Sequence, residues 1–331
     1  MHRSLSLAAP RAPSFVSLPT ELILDILERT LLSSAETARA FALICKHISH
    51  LLDQILYRTV VLSTSRQLAL FARTVASKAP SFMPAHVKRL AITWDGPTSA
   101  ASRAHFASIV AACAGIRSIS LPELLVASSL EPCPPAHHAH AHDFPAMPSE
   151  ITIASFPDMD PVFPLSLSTP KQLARPTTHS PMFYAGATRL RIAEPGESWQ
   201  APREMLAALG PLALLTHLQL ARRAGANEDN DMTFVADVAR ILHARPTLKV
   251  LAVSVFPPYL RTLPDASAMD DDDAEGRECR QSHIWGLLEE LAKVDRRLVV
   301  VRGSHGSWQH EWEGVEVIAN ASGPEDFWAA L

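Results

Sequence analysis

Leu215-Thr216-His217-Leu218-Gln219-Leu220 and, about 33 residues on, Leu248-Lys249-Val250-Leu251-Ala252-Val253 are two copies of one pattern, apolar-x-x-Leu-x-apolar. The same pattern stands at Val87-x-x-Leu90-x-Ile92 and Ile116-x-x-Ile119-x-Leu121, with a weaker copy at Ala187-x-x-Leu190-x-Ile192. Alternation with period two puts Leu218 and Leu220 on one face of a strand and His217 and Gln219 on the other. Recurrence at a fixed interval decides architecture before local detail does, and about 28 to 33 residues lies near the upper range of leucine-rich repeats. Between Leu121 and Ala187 the interval doubles, and Glu150-Ile151-Thr152-Ile153 near its middle fits a further strand. Thr59-Val60-Val61-Leu62, rich in β-branched residues, reads as the first strand, and Val299-Val300-Val301 as a late one.

Helical patterns fall between these strands. Gln67–Ala76 aligns Leu68, Phe71, Ala72 and Val75; Arg103–Ala114 aligns Phe106, Ile109, Val110 and Cys113. Thr233–Ala244 and His283–Val294 each carry a comparable stripe. Parallel strands need such crossovers. The expectation is therefore an α/β fold: an irregular strand–helix solenoid over 63–331 with a curved, mainly parallel sheet and helices outside. The in-between residues Arg89, Ser118, Ser120, Arg189, Arg191, His217 and Gln219 would then face outwards and line a concave surface suited to a client protein. The asparagine that leucine-rich repeats carry beside the strand is absent. Two stretches interrupt the order. Residues 122–181 are dense in proline, which excludes long helix and central strand over most of their length. Residues 265–280 contain Asp270-Asp271-Asp272-Asp273-Ala274-Glu275, and like charges in a row predict a solvated, unstructured acidic loop. The terminal Phe327-Trp328 is expected to cap the apolar end of the last unit.

Residues 1–14 are basic and rich in Ser, Ala and Pro, and read as a disordered tail. Residues 15–62 read as a helical head. Pro19 suits a first helical turn. Leu22, Ile23, Ile26 and Leu27 recur at helical spacing opposite Glu21, Asp25, Glu28 and Arg29. Ser33 and Glu36 form a capping-box pattern for a second helix through Ala38, Phe41, Ala42 and Cys45. A third helix carries Ile48, Leu51, Leu52, Ile55 and Leu56. Three short helices bury one another's stripes with apolar surface left over, which points to a partner.

The opening Leu18-Pro19-x-Glu21-Leu22-Ile23-x-x-Ile26-Leu27, together with Cys45-Lys46 and the exit Leu56-Tyr57-Arg58-Thr59-Val60-Val61-Leu62, resembles an F-box. The layout as a whole is similar to fungal F-box proteins with degenerate leucine-rich-type repeats. It departs from the family where an aromatic residue commonly follows the cysteine, since His47 and Ile48 stand there. The resemblance implies a non-catalytic, substrate-recognition subunit. Its head would bind the Skp adaptor of a cullin–RING ubiquitin ligase through Leu18, Pro19, Leu22, Ile23, Ile26 and Leu27, with Leu43 and Cys45 from the second helix, and the solenoid would bind the client. A repeat scaffold whose head merely caps the solenoid is the alternative.

Composition narrows the rest. A hydrophobic fraction of 47% and a net charge of −4 describe a globular chain without the basic excess that nucleic acid binding needs. No apolar run reaches the roughly 18 residues of a membrane span. Cys45, Cys113, Cys133 and Cys279 show no Cys-x-x-Cys spacing, and an intracellular location, cytoplasm or nucleus, follows from that usage. No dinucleotide, phosphate-loop or zinc-protease motif occurs, Gly303-Ser304-His305-Gly306 is not a nucleophile elbow, and no cofactor is expected. His137, His138, His140 and His142 could ligate zinc, nickel or copper, a third reading for the chain, although they sit in proline-rich sequence rather than on a rigid scaffold.

Overall fold

The computed structural model describes residues 18–31, 40–41, 43–94, 99–122, 125, 147–156, 184–258, 272–313, 325–329 and 331. These residues form eight strands: β1 Thr59–Leu62, β2 Arg89–Ile92, β3 Ser118–Leu121, β4 Glu150–Ile153, β5 Arg189–Ile192, β6 His217–Arg223, β7 Val250–Phe256 and β8 Leu298–Arg302. They pair in chain order, every neighbour parallel, in one sheet. Each repeated pattern therefore supplies one strand, and Glu150–Ile153 fills the gap between its second and third copies.

The register sets the sheet's two faces. Leu90, Ile119, Ile151, Leu190, Leu218 and Leu251 align across six strands. All are buried, in one apolar core with side chains from the intervening helices. These helices are α3 Ser65–Ser77, α4 Phe82–His86, α5 Ala100–Ala112, α6 Pro202–Ala208, α7 Glu228–Ala244, α8 Asp272–Gln281 and α9 His283–Val294. A sequential parallel sheet with right-handed crossovers puts every crossover on the same side, and Phe71, Phe106, Ile109, Phe234, Val238, Ile284 and Leu288 meet the strands there. The helices are fixed by ordinary caps: Thr64, Ser99, Asn227 and Ser282 each accept a hydrogen bond from a first-turn amide.

A main-chain ladder joins the units below the strands. The Arg58 carbonyl accepts from both Lys88 and Arg89 amides, and Lys88 in turn from Arg117 and Ser118. The same doubled acceptance continues through Arg117, Ser149, Thr188 and Thr216. Hydroxyls of Ser149, Thr188 and Thr216 add a bond to the preceding carbonyl at 3.0 to 3.1 Å. Backbone and hydroxyl groups thus make the connection for which the missing asparagine had been sought.

The head consists of α1 Thr20–Leu31 and α2 Lys46–Leu56, with Ala40 and Phe41 also helical. Ile23 and Leu27 of α1 close on Ile48, Leu51 and Leu52 of α2 in a small separate core. Leu43 lies in a turn and Cys45 is the extended N-cap of α2, so neither belongs to a second helix as expected; the chain breaks there so that α2 can start. The head meets the first strand–helix unit through Tyr57, whose ring centre lies 5.1 Å from that of Phe82 in an edge-to-face contact, and through Lys78, which reaches Asp53 at 3.5 Å.

Two expectations about the second half are corrected. Asp272–Gln281 is helical (α8), and its Cys279 is fully buried, so the acidic stretch is structured where it gains an apolar anchor. Phe327 and Trp328, in the short helix α11 Glu325–Ala329, do not cap the last unit. They lie across β5 and β6: the Arg191 guanidinium is 3.9 Å from the Phe327 ring, and the Trp328 ring is 5.3 Å from His217. The remainder of the proline-rich insertion and of the acidic loop falls outside the described residues.

Candidate protein-binding surfaces

The head presents one surface. Ile23 and Leu27 occupy the inner side of α1 and are buried, because that i, i+4 pair faces α2. They are therefore removed from the set of direct adaptor contacts. The outer side of α1 keeps Leu22 51% and Ile26 38% exposed, and the following turn leaves Leu43 87% exposed. Pro19 is exposed; Leu18 and Cys45 are half-buried against the head core. Ile44 and Leu56 are exposed as well and were missed in the sequence. Their signal was present: Leu56 follows Leu52 by one helical turn, more apolar residues than one inward stripe can use.

The second surface is the sheet face opposite the helices, where the in-between residues point. It is not open. After β8 the chain turns at Gly303, where a Cβ would sit 2.3 Å from the Phe256 ring, and folds back over the sheet as α10 Ser307–Glu313. Gly306, at φ +74°, donates its N–H to Glu194 Oε1 at 2.7 Å, and His305 Nδ1 lies 3.0 Å from the other oxygen. Trp308 and Trp312 then pack on Ala91 and Ala193, with Val61 and Ala154 alongside. Four of the expected client contacts are consequently buried: Ser118, Ser120, Arg191 and Gln219. Arg89, Arg189 and His217, at the strand entries, remain half-exposed. The signal that sequence reasoning missed is the run of alanines at outward positions, which leaves room for indole rings.

Polar groups beneath this strap are linked around Arg191, which is 2% exposed. Its Nη1 and Nη2 fork donates to Glu311 at 2.5 and 3.0 Å, and its Nε donates to Gln219 Oε1 at 2.7 Å. Gln219 Nε2 donates to Ser254 Oγ at 2.7 Å. Glu150 accepts from the Trp328 indole at 3.1 Å. The Ser118, Ser120 and Thr152 hydroxyls and the Trp312 indole N–H are buried with no partner among the described residues. Burial would raise the Glu194 carboxyl, yet it lies below its ordinary value, because bonds from His305, Gly306 and Trp308 and the charge of His305 outweigh burial. Burial, then the charges of Arg189 and Lys249, hold the His217 imidazole below its usual range.

A cavity of about 160 Å³ lies at the carboxyl ends of β5 and β6, between Glu194–Gln200 and α7. Its floor holds the Arg222–Asp231 ion pair at 2.6 Å, with the Arg222 guanidinium 4.5 Å from the Trp199 ring. Arg222 is committed to Asp231 through two donors, so this is a structural pair. Among the described residues no group of three or more His, Cys, Asp or Glu side chains could hold a metal ion. The candidate ligands His137, His138, His140 and His142 lie outside them. Cys45, Cys113 and Cys279 form no disulfide among the described residues, and burial pushes Cys113 up to about 11, which makes it a poor nucleophile. No helix among the described residues is long and apolar enough to cross a membrane.

Comparison of the chain with protein-family models, with curated proteins and with solved structures finds no match.

Proposed function

We propose that the chain is a substrate-recognition subunit of a Skp–cullin–F-box type ubiquitin ligase, with the head as the adaptor-binding element and the repeat-like sheet as the part that receives a client. One observation carries this reading. The head buries Ile23 and Leu27 to hold itself together, yet leaves Leu22, Ile26, Leu43, Ile44 and Leu56 exposed. Clustered apolar anchors on short helices are the chemistry of helix-in-groove docking. Leu22, Ile26 and Leu56 among them stand in the stretches that carry the F-box resemblance, and the strand units behind them recur at a spacing near that of leucine-rich repeats. The ligase chemistry would belong to other subunits.

Mixing the full chain with purified Skp adaptor tests the proposal. A complex should co-elute in size-exclusion chromatography, and Leu22→Asp with Ile26→Asp should weaken it at least tenfold while the circular dichroism spectrum stays unchanged. No co-elution of the wild-type chain, or binding indifferent to the double substitution, removes the ligase assignment.

A further inference from the structure

Arg191 is oriented by the sheet and answered by the strap. Gln219, fixed by Ser254, holds the guanidinium from behind, while the carboxylate and the ring that complete its surroundings, Glu311 and Phe327, come from at least 120 residues further along the chain. A buried guanidinium pre-set by its own strand neighbours is a receptor for a carboxylate, because its planar fork matches both oxygens. Charge separates receptor from occupant. Residues 303–331 hold five carboxylates and no Lys or Arg, so the remainder of the chain is close to neutral. The strand entries along this face carry Arg89, Arg189 and His217, with Lys249 one residue before β7, against one carboxylate, Glu150, which accepts from the Trp328 indole. The fit is also incomplete: Arg191 is satisfied, but the Ser118, Ser120 and Thr152 hydroxyls and the Trp312 N–H are buried with no partner among the described residues. Such a covering can be exchanged for one that serves those groups better.

We propose that the sheet face centred on Arg191 is a groove for an external polypeptide segment bearing an acidic residue close to an aromatic one, and that residues 303–313 and 325–329 occupy it as a built-in stand-in until that segment displaces them. The proposal rests on the client-binding reading for the origin of the displacing chain; the groove itself follows from the contacts around Arg191. Tethering supplies the strap at an effective concentration on the order of millimolar, so an external segment competes only when it fits better or when the strap is weakened.

The probe is a synthetic, fluorescein-labelled peptide with the sequence of residues 303–331, titrated into the full chain. A chain carrying Glu311→Gln should bind it at least tenfold more tightly than wild type, and adding Arg191→Ala should remove that gain. Equal affinities for wild type and Glu311→Gln, or a gain that survives Arg191→Ala, overturn the proposal. Hydrogen exchange on the wild-type chain gives a second reading free of folding defects: excess peptide should speed exchange of the amides of 303–313, and unchanged exchange counts against displacement. Adaptor co-elution, run on the same preparations, separates the two readings, since a chain can retain its adaptor and still fail to exchange its strap.

Discussion

The outer side of α1 and the strap-covered face of the sheet are both surfaces that the sequence marks for a partner, and the fold treats them oppositely. The head leaves Leu22 and Ile26 in solvent; the sheet closes over Arg191 and Gln219 with its own C-terminus. The difference follows from reach and charge. The strap leaves the sheet at β8, beside β7, and its indole rings find alanines and its carboxylate a guanidinium. On the head the described residues bring up no comparable segment over Leu22 and Ile26. Under the proposed function the exposed apolar stripe is the interaction site, and under the further inference the polar face buried by its own chain is a contact that can be remade.

This contrast can be broken by stability measurements. The largest effect is expected in the helix-packed core behind the closed face: Leu218→Ala should cost about 3 kcal/mol through a core cavity. Arg191→Ala should cost about 3 kcal/mol, because it leaves Glu311 and Gln219 without their donor. Leu22→Asp with Ile26→Asp should change stability by no more than about 0.5 kcal/mol, as exposed substitutions do. Denaturant midpoints decide it, and a head pair as costly as Arg191→Ala would mean that the head surface is internal packing.

A smaller effect sharpens the view of the strap as an imperfect cover. The Trp308 indole helps hold the Glu194 carboxyl below its ordinary value, whereas the Trp312 N–H has no partner among the described residues. Trp308→Phe should therefore be more destabilising than Trp312→Phe by about 1.5 kcal/mol. Thr152→Val, which removes an orphaned hydroxyl at constant shape, should be neutral or stabilising by up to about 1 kcal/mol. A loss of stability in Thr152→Val would reveal a partner for that hydroxyl and a better-matched cover than described.

The smallest effect is acid release of the strap. His217 titrates below its ordinary 6.5 in the fold, so the unfolded chain takes up that proton first and stability starts to fall as pH drops through 6.5. Glu194 titrates below its ordinary 4.5, so the stability it contributes is fully present above that value and is lost as pH falls further through its folded value. Melting temperature against pH should show both stages, with the lower one reduced in Glu194→Gln to what Asp295, also held low by Arg297, still contributes. An unchanged lower stage in that variant would remove Glu194 as a clasp.

Much of the frame was legible in advance. Every copy of the apolar-x-x-Leu-x-apolar pattern is a strand, the insertion strand at Ile151 stands where the interval doubles, and His283–Val294 has its helix boundaries unaltered. Periodicity could do this because burial of one strand face and one helix stripe is a local demand, written in adjacent residues. It could not rank Ile23 against Leu22 as a docking residue, since both belong to the same α1 stripe and only the crossing of α1 by α2 separates them.

The sequence by itself determined a succession of strand–helix units, a helical head with more apolar side chains than it can bury, and an acidic, aromatic C-terminus. Only the tertiary structure decided that this C-terminus lies on the sheet and that Arg191 is a buried fork instead of an exposed contact. The reason is distance along the chain. Strand spacing is set by neighbours within one unit, but the pairing of Arg191 with Glu311 spans 120 residues and exists only once eight strands have placed them together.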